Sequence, residues 1–384
     1  MAKARYIMIG GFLGAGKTTA VAALAQRLAG QGMRVGLITN DQGSELVDTA
    51  MLRAKGFETE EITGGCFCCR FNTLTDAAKR LTESTRPDVF IAEPVGSCTD
   101  LVATVTYPLR RIYGDSFAIA PLSVLVDPIR AERVLGLAEG GQFSAKVTYI
   151  FRKQLEEADI LVVTKSDLVD AARMERLKAA LAKEFPKAEV LAVSVRTGAG
   201  LDEWFAKMTG GEQVERATME VDYGIYAEGE ALLGWLNATV QVSAATPFDA
   251  DTVLKGLAAE MQRVLTGEIA HLKMTLSPDS GLGDVAAINL VRSDFVPELS
   301  LRLEEPVESA QVILNCRAEA SPEAIRDALE SAVATIRATG VSATVEHLEF
   351  FRPGKPQPTH RDEVVRVSQA TCRDSEVSSR TVGQ

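Results

Sequence analysis

Histidine is almost missing from this chain, with three in 384 residues, so it contains no histidine-rich tract. Excess positive charge is missing too. Forty-one lysines and arginines stand against 52 aspartates and glutamates, a net charge of -11. That balance excludes a general nucleic-acid or anionic-membrane surface, because either needs a basic face. No apolar stretch approaches the ~20 residues that a membrane-spanning helix requires. The first apolar run is broken by glycines, so it reads as a strand and not as a signal peptide. Cysteine is scarce, and three of the six are crowded into residues 66–69, which suits a reducing compartment better than a disulfide framework. No internal repeat is present. What remains is an ordinary globular composition, 46% hydrophobic and 24% charged, on a chain long enough for two domains. The expected location is cytoplasmic.

The strongest positive signal comes early. Residues 6–9 form an apolar strand that runs into Gly11-Phe12-Leu13-Gly14-Ala15-Gly16-Lys17-Thr18, followed by a helical pattern. This is G-x-x-x-x-G-K-[ST] in its required strand–loop–helix setting. Its glycines let backbone N–H groups turn inward around a β-phosphate. Lys17 reaches the β and γ oxygens, Thr18 offers a hydroxyl to Mg²⁺, and the helix aims its positive end at the anion. Gly11, Gly14, Ala15, Gly16, Lys17, Thr18 and Thr19 are the expected phosphate-binding set, with Lys17 also placed in the chemistry. A nucleoside triphosphate is the expected ligand.

From residue 1 to about 215, β-branched apolar runs alternate with amphipathic helical stretches. Strands are expected at 6–9, 35–39, 88–92, 122–127, 160–164 and 190–194, with helices such as 18–29, 73–82 and 171–185. This alternation predicts an α/β fold, a P-loop NTPase with a mostly parallel sheet and helices on both faces. Ligands of such sheets lie at the carboxyl ends of the strands. A polar stretch at 209–213 reads as a linker. From 225 to 351 the order becomes βαββ then βαβ, which predicts a smaller ferredoxin-like α+β domain with an extra strand. Residues 352–384 are rich in Pro, Ser, Thr and charge and read as a disordered tail.

The base-recognition signal follows the strand at 160–163. Thr164-Lys165-Ser166-Asp167 lies where GTPases carry N-K-x-D. The Lys165 stem would cover the base, and the Asp167 carboxylate would accept from the two N–H donors that guanine has and adenine lacks. One β-unit later, Ser194-Val195-Arg196-Thr197-Gly198-Ala199-Gly200-Leu201 resembles the GTPase stretch whose backbone meets the guanine O6. Ser194 and Val195 are therefore placed at the base. Thr164 replaces the usual Asn and makes only part of its contact to the phosphate loop, so reduced affinity is expected.

Gly64-Gly65-Cys66-Phe67-Cys68-Cys69 follows one expected strand and precedes a helix. Three sulfurs in four residues can face one soft cation, and Zn²⁺ takes four ligands. Cys98, after another strand end, is a candidate fourth. Buried structural cysteines and a redox dithiol are the alternatives.

Taken together, the Walker loop, G-G-C-x-C-C, Glu93-Pro94-Val95-Gly96, K-x-D and a smaller C-terminal domain resemble the CobW-type metal-chaperone GTPases, over residues 5–215. The resemblance implies Asp41 as the acidic switch residue near Mg²⁺, Glu93 as the acid of the γ-phosphate-sensing segment, and Gly96 as its flexible joint. It also implies GTP, Mg²⁺ and Zn²⁺ or Co²⁺ as ligands, with a client metalloprotein as partner and neither nucleic acid nor membrane involved. Two departures stand out: N-D-Q-G replaces the usual N-E-x-G, and the histidine-rich runs of some relatives are absent.

The expected function is GTP hydrolysis coupled to delivery of a transition metal held by Cys66, Cys68 and Cys69. No motif supplies an arginine finger, so turnover is expected to be slow without a client. The alternatives are a GTPase chaperone for a corrinoid enzyme and a P-loop small-molecule kinase. The metal, the client and any homodimer are left open. His271, His347, Cys316 and Trp235 read as structural residues, and little weight falls on His360 and Cys372 as metal ligands.

Overall fold

Tyr6, Ile7, Met8 and Ile9 are all buried, as a strand covered by helices on both faces requires. The computed structural model describes residues 3–40, 47, 52, 55–114, 116–281 and 284–362. In it this strand, β1 (Ala4–Gly11), is central to a parallel sheet. On one side lie β4 (Val89–Glu93), β2 (Val35–Asn40) and β3 (Thr59–Ile62); on the other lie β6 (Ser123–Val126), β7 (Ile160–Val163) and β8 (Glu189–Ala192). A short β5 (Phe117–Ile119) pairs with the first half of β1 and β6 with the second. Pro121 falls in the break between them, where a residue without an N–H interrupts the ladder at least cost.

Helices α1 (Lys17–Gly30), α2 (Phe71–Ser84), α3 (Tyr107–Tyr113), α4 (Pro128–Val134), α5 (Ala145–Glu157), α6 (Ala171–Glu184), α7 (Leu201–Gly210) and α8 (Tyr223–Leu232) complete this domain. Asp127, Ser144, Asp170 and Asp222 cap α4, α5, α6 and α8 through their side chains. Helix α1 has no such cap: Gly16 stands there, and the first-turn N–H groups are left to face a ligand.

The C-terminal half is a second sheet, antiparallel, in the order β12-β11-β10-β13-β9-β14. Its strands are β9 (Gly234–Phe248), β10 (Ile269–Pro278), β11 (Ala286–Leu290), β12 (Glu298–Leu301), β13 (Val307–Ala318) and β14 (Ser342–Phe351). With α9 (Ala250–Val264) and α10 (Pro322–Ala338), the set β14-β9-β13-β10 has the strand order of the split βαβ unit, extended at one edge by β11 and β12. The second domain is thus the expected α+β type, with two edge strands beyond the basic four. Leu236, Ala238, Val240 and Val242 of β9 enter its helix-covered core, while Trp235 from the opposite face joins the core of the first domain. Alternation along the strand therefore sends one face to α9 and α10 and leaves a polar face toward the first sheet.

Two expected boundaries look different in three dimensions. Residues 209–213 are not a free linker: 209 and 210 end α7, Gln213 N donates to Ile119 O, and just beyond them Arg216 pairs with Asp159. Residues 352–362 also lie on the first domain. Asp362 N donates to Ala103 O, Arg361 pairs with buried Asp100, and Arg111 pairs with Asp362. The polar composition that suggested disorder here instead supplies partners for buried and surface charges.

Candidate functional site

The phosphate loop leaves β1 at its carboxyl end and closes at Gly16. Gly14 has φ +80, and a Cβ there would come within 3.1 Å of the Ala270 carbonyl of β10, so the second domain touches the loop directly. Lys17 Nζ donates to Gly11 O at 2.9 Å, folded over the loop it would otherwise bridge to an anion. Thr18 Oγ1 donates to Glu93 Oε1 at 2.9 Å, at the end of β4. Lys17, Thr18 and Glu93 are therefore neighbours, and Thr19 lines the same cleft. Gly96 lies so close to the loop that a Cβ would meet Leu13 Cδ2 at 2.7 Å. Its carbonyl and that of Cys98 accept from Gln154 Nε2 at 3.0 and 2.8 Å. Asp41 lies outside the described residues.

The Thr164–Asp167 loop is tied to the phosphate loop in two places. Thr164 Oγ1 donates to Ala15 O at 2.8 Å, and Lys165 Nζ to Gly14 O at 2.8 Å. Lys165 adopts φ +51, a conformation held by this bond and by an ion pair with Asp127 at 2.8 Å. Burial opposes ionisation of Asp127, but Lys165 and Arg292 outweigh it and hold the carboxyl down at about 2. Asp167 lies 3.7 Å from Arg196. Ser194 shapes the next turn, its hydroxyl accepting from Thr197 N at 3.2 Å, and Val195 faces the cleft.

This cleft holds about 450 Å³ and is roofed by the second domain: His271, Lys273, Asn289, Arg292 and Phe295 line it opposite the phosphate and base loops. His271, expected to be a plain sheet residue, hydrogen-bonds Asn289 at 3.2 Å, and burial with Lys273, Lys165 and Lys17 nearby holds its imidazole neutral. The roof is anchored by Arg292 on Asp127 at 3.3 Å, both buried, and by Arg130, which reaches the carbonyls of Ile269 and Val291. Burial lowers the Arg130 guanidinium to about 10, still charged at neutral pH.

The cysteine loop follows β3, the strand beside β2 at the edge of the first sheet. Cys66, Cys68 and Cys69 present sulfurs within 4.8 Å of one another, with Cys66 Sγ 2.9 Å from Cys68 Sγ and 3.2 Å from Cys69 Sγ. A tight turn brings them together, with Cys69 N and Arg70 N both donating to Cys66 O. Hydrogen bonds from Cys68, Cys69 and Cys98 push the Cys66 thiol well below its ordinary value, so Cys66 is the thiolate of the group. The same contacts raise Cys68, and the hydrogen bond with Cys66, with burial behind it, raises Cys69 to about 11. Cys98 is buried beside Cys66 and Cys68, while the sulfurs that lie within 4.8 Å of one another are those of Cys66, Cys68 and Cys69. Residues 357–359 cover the loop: Gln357 N donates to Cys69 Sγ at 3.2 Å and Thr359 N to Cys68 O at 2.8 Å. His360 sits edge-on to Phe71, and Cys372 lies outside the described residues.

Sequence reasoning missed Asn40, Asp127 and the roof. Asn40 ends β2, with Nδ2 donating to Ile62 O and Gly65 O while its Oδ1 accepts from Phe67 N. The rule that ligands lie at the carboxyl ends of the strands could have found Asn40 and Asp127, since Asn40 ends β2 and Asp127 directly follows β6. No local signal marks Lys273 or Arg292, which reach the cleft only through domain packing.

Residues 5–192 match the nucleotide-binding domain of CobW/HypB/UreG. The zinc chaperone CobW of Sinorhizobium sp is 32% identical over 190 residues, covering 44% of this chain and 53% of that protein. The zinc chaperone YjiA of Escherichia coli is 26% identical over 193 residues, covering 49% of this chain and 56% of that protein. The chain thus spans about half the length of the relatives it matches. A crystal structure of Zn(II)-bound YjiA GTPase from E. coli aligns over 86% of this chain and 99% of that chain at 16% identity, with a TM-score of 0.39. Among the described residues no helix is long and apolar enough to cross a membrane.

Proposed function

We propose that this chain, whose residues 5–192 belong to the CobW/HypB/UreG nucleotide-binding family, is a GTP-hydrolysing metallochaperone. Its cargo is Zn²⁺, held by Cys66, Cys68 and Cys69 with Cys98 behind them, and released to a client protein under control of the nucleotide. The observation that carries this reading is the continuity of residues 93–98. Glu93 bonds Thr18 at the start of that segment, Gly96 rests on Leu13 in its middle, and Cys98 meets the thiol group at its end. A ligand drawn between Thr18 and Glu93 therefore pulls on the same six residues that carry a sulfur.

The donor chemistry supports each ligand. Thr18 and Glu93 offer hard oxygens 2.9 Å apart, a set that suits Mg²⁺; with Asp41 they would hold the ion, which neutralises phosphate charge when bound. Three clustered sulfurs suit Zn²⁺, in keeping with relatives named zinc chaperones. Asp167 in the base loop selects guanine through two accepted hydrogen bonds, and Lys165 covers the ring. Lys17, freed from Gly11 O, bridges the β and γ oxygens.

The test is a competition titration of Zn²⁺ and Co²⁺ against the apo, GDP-bound and non-hydrolysable-GTP-bound protein, with the Cys66/Cys68/Cys69→Ser variant as control. A difference of about tenfold between nucleotide states is expected from gain or loss of one sulfur ligand, and GTP affinity must change by the same factor when metal binds. Equal metal affinity in all three states sinks the coupling. Nucleotide identity is tested separately. Lys17→Ala should abolish binding, and Asp167→Asn should favour xanthine nucleotides; tighter binding of ATP than GTP would argue for a kinase instead.

A further inference from the structure

Lys273 stands on β10, in the middle of the second sheet and 255 residues from the phosphate loop, yet its Nζ lies 3.4 Å from Thr18 Oγ1. Thr18 is the residue whose hydroxyl ligates Mg²⁺ in any loop of this type, and that ion bridges the β and γ oxygens. A cation at that distance is within reach of the terminal phosphate. The position is set by rigid surroundings. Lys273 pairs with Asn289 on one neighbouring strand and Asn315 on the other, so its backbone is fixed by two ladders. The sheet is in turn fixed to the phosphate loop, with Ala270 and Val291 against Gly14, Arg292 on Asp127, and Arg130 on the carbonyls of Ile269 and Val291. His271, two residues earlier on the same face, is neutral and adds no competing charge.

We infer that Lys273 contacts the γ-phosphate of the bound triphosphate, so that the second domain supplies in cis a cation beyond Lys17, the finger for which the first domain has no motif. This rests on the reading of the cleft as a GTP site. In hydrolysis the oxygen of water bonds to the γ-phosphorus as the bond from that phosphorus to the β–γ bridging oxygen breaks. The electron pair leaves with GDP, and both protons of water end on the released phosphate as H₂PO₄⁻, which gives one up to solvent. Negative charge gathers on the bridging and γ oxygens during this displacement, and a fixed ammonium there stabilises it without reorganisation. Lys273 remains protonated throughout. A diphosphate has no γ group for it to touch, so the residue also reports which nucleotide is bound to a domain that carries none of the recognised motifs.

The experiment measures binding of fluorescent GDP and of a fluorescent non-hydrolysable GTP analogue, together with single-turnover GTP hydrolysis. It compares the full-length wild type with Lys273→Met, Lys273→Arg and Lys17→Ala, all after confirming equal thermal midpoints. Lys273→Met should bind the triphosphate analogue about tenfold more weakly, the scale of one charge-assisted contact, with GDP affinity unchanged. Its turnover should fall about a hundredfold or more, as expected for loss of a transition-state cation, and Lys273→Arg should recover part of both. Unchanged turnover and an unchanged ratio of triphosphate to diphosphate affinity in Lys273→Met would overturn the inference while leaving the GTPase reading intact. Equal loss of GDP and triphosphate binding would also overturn it, since that marks a strut between domains. Wild type that binds neither guanine nucleotide overturns the reading of the cleft itself, and Lys273 with it.

Discussion

Asn40 and Phe67 are joined by a hydrogen bond of 2.9 Å from the Phe67 N–H to the Asn40 side-chain oxygen. The other end of the same amide donates to Ile62 O at 3.0 Å and Gly65 O at 2.7 Å. One side chain at the carboxyl end of β2 thus holds the chain on both sides of Cys66, directly before the expected switch residue Asp41. Asn40→Ala leaves a buried N–H and two carbonyls without this partner. We expect zinc affinity to fall about tenfold, the scale seen when a group that orients metal ligands is removed. A chelator competition titration checks this. Unaltered affinity would mean that the turn at Cys66 is sufficient to shape the loop.

The Thr164 hydroxyl makes the link between base loop and phosphate loop that the sequence assigned only in part to Thr. Thr164→Val keeps the shape and removes the donor, leaving Ala15 O without it. A loss of about 1 kcal/mol in GTP binding is expected for one hydrogen bond. Calorimetric titration against wild type measures it, and equal affinity would show that Lys165 on Gly14 O is a sufficient tie.

Asp127 sits between Lys165 of the first domain and Arg292 of the second. Asp127→Asn strands two cations, one of them buried, and breaking such a pair costs about 3 kcal/mol or more. Urea unfolding should show that loss at neutral pH. The carboxyl is held at about 2 against an ordinary 3.8. Its contribution is therefore complete above about pH 4 and disappears as pH falls toward 2. The difference between variant and wild type should shrink over that acid window.

Glu157 gives the opposite slope. Burial first, and then the nearby Asp100, raise its carboxyl from 4.5 to about 8, against the bonds it accepts from Val102 N and Thr99 Oγ1. The folded state binds this proton more tightly than the unfolded chain does. Its stabilisation is complete below about pH 4.5 and is lost as pH rises through about 8. Wild-type melting temperature should fall across that range, and Glu157→Gln should fall less. Parallel pH profiles for the two proteins would assign the titration elsewhere.

The sequence by itself determined the local machinery. Gly14, Gly16, Lys17 and Thr18 work through backbone conformation and immediate neighbours, so their spacing is legible without a fold. Cys66, Cys68 and Cys69 come together in one turn for the same reason. Period-two and period-3.6 patterns gave the two domain types, because burial on sheet and helix faces is set by nearest-neighbour geometry. The edge strand β12 was missed, its short Glu298–Leu301 run being only half covered by neighbours and carrying little apolar signal. Contacts between distant residues were decided by tertiary structure alone. Lys273 reaches Thr18, Arg292 reaches Asp127, and Thr359 reaches Cys68, each across more than 150 residues of chain. Such contacts depend on how two finished sheets dock, and docking is decided by the summed fit of a whole polar face. That fit leaves no periodic trace in the strands that carry it.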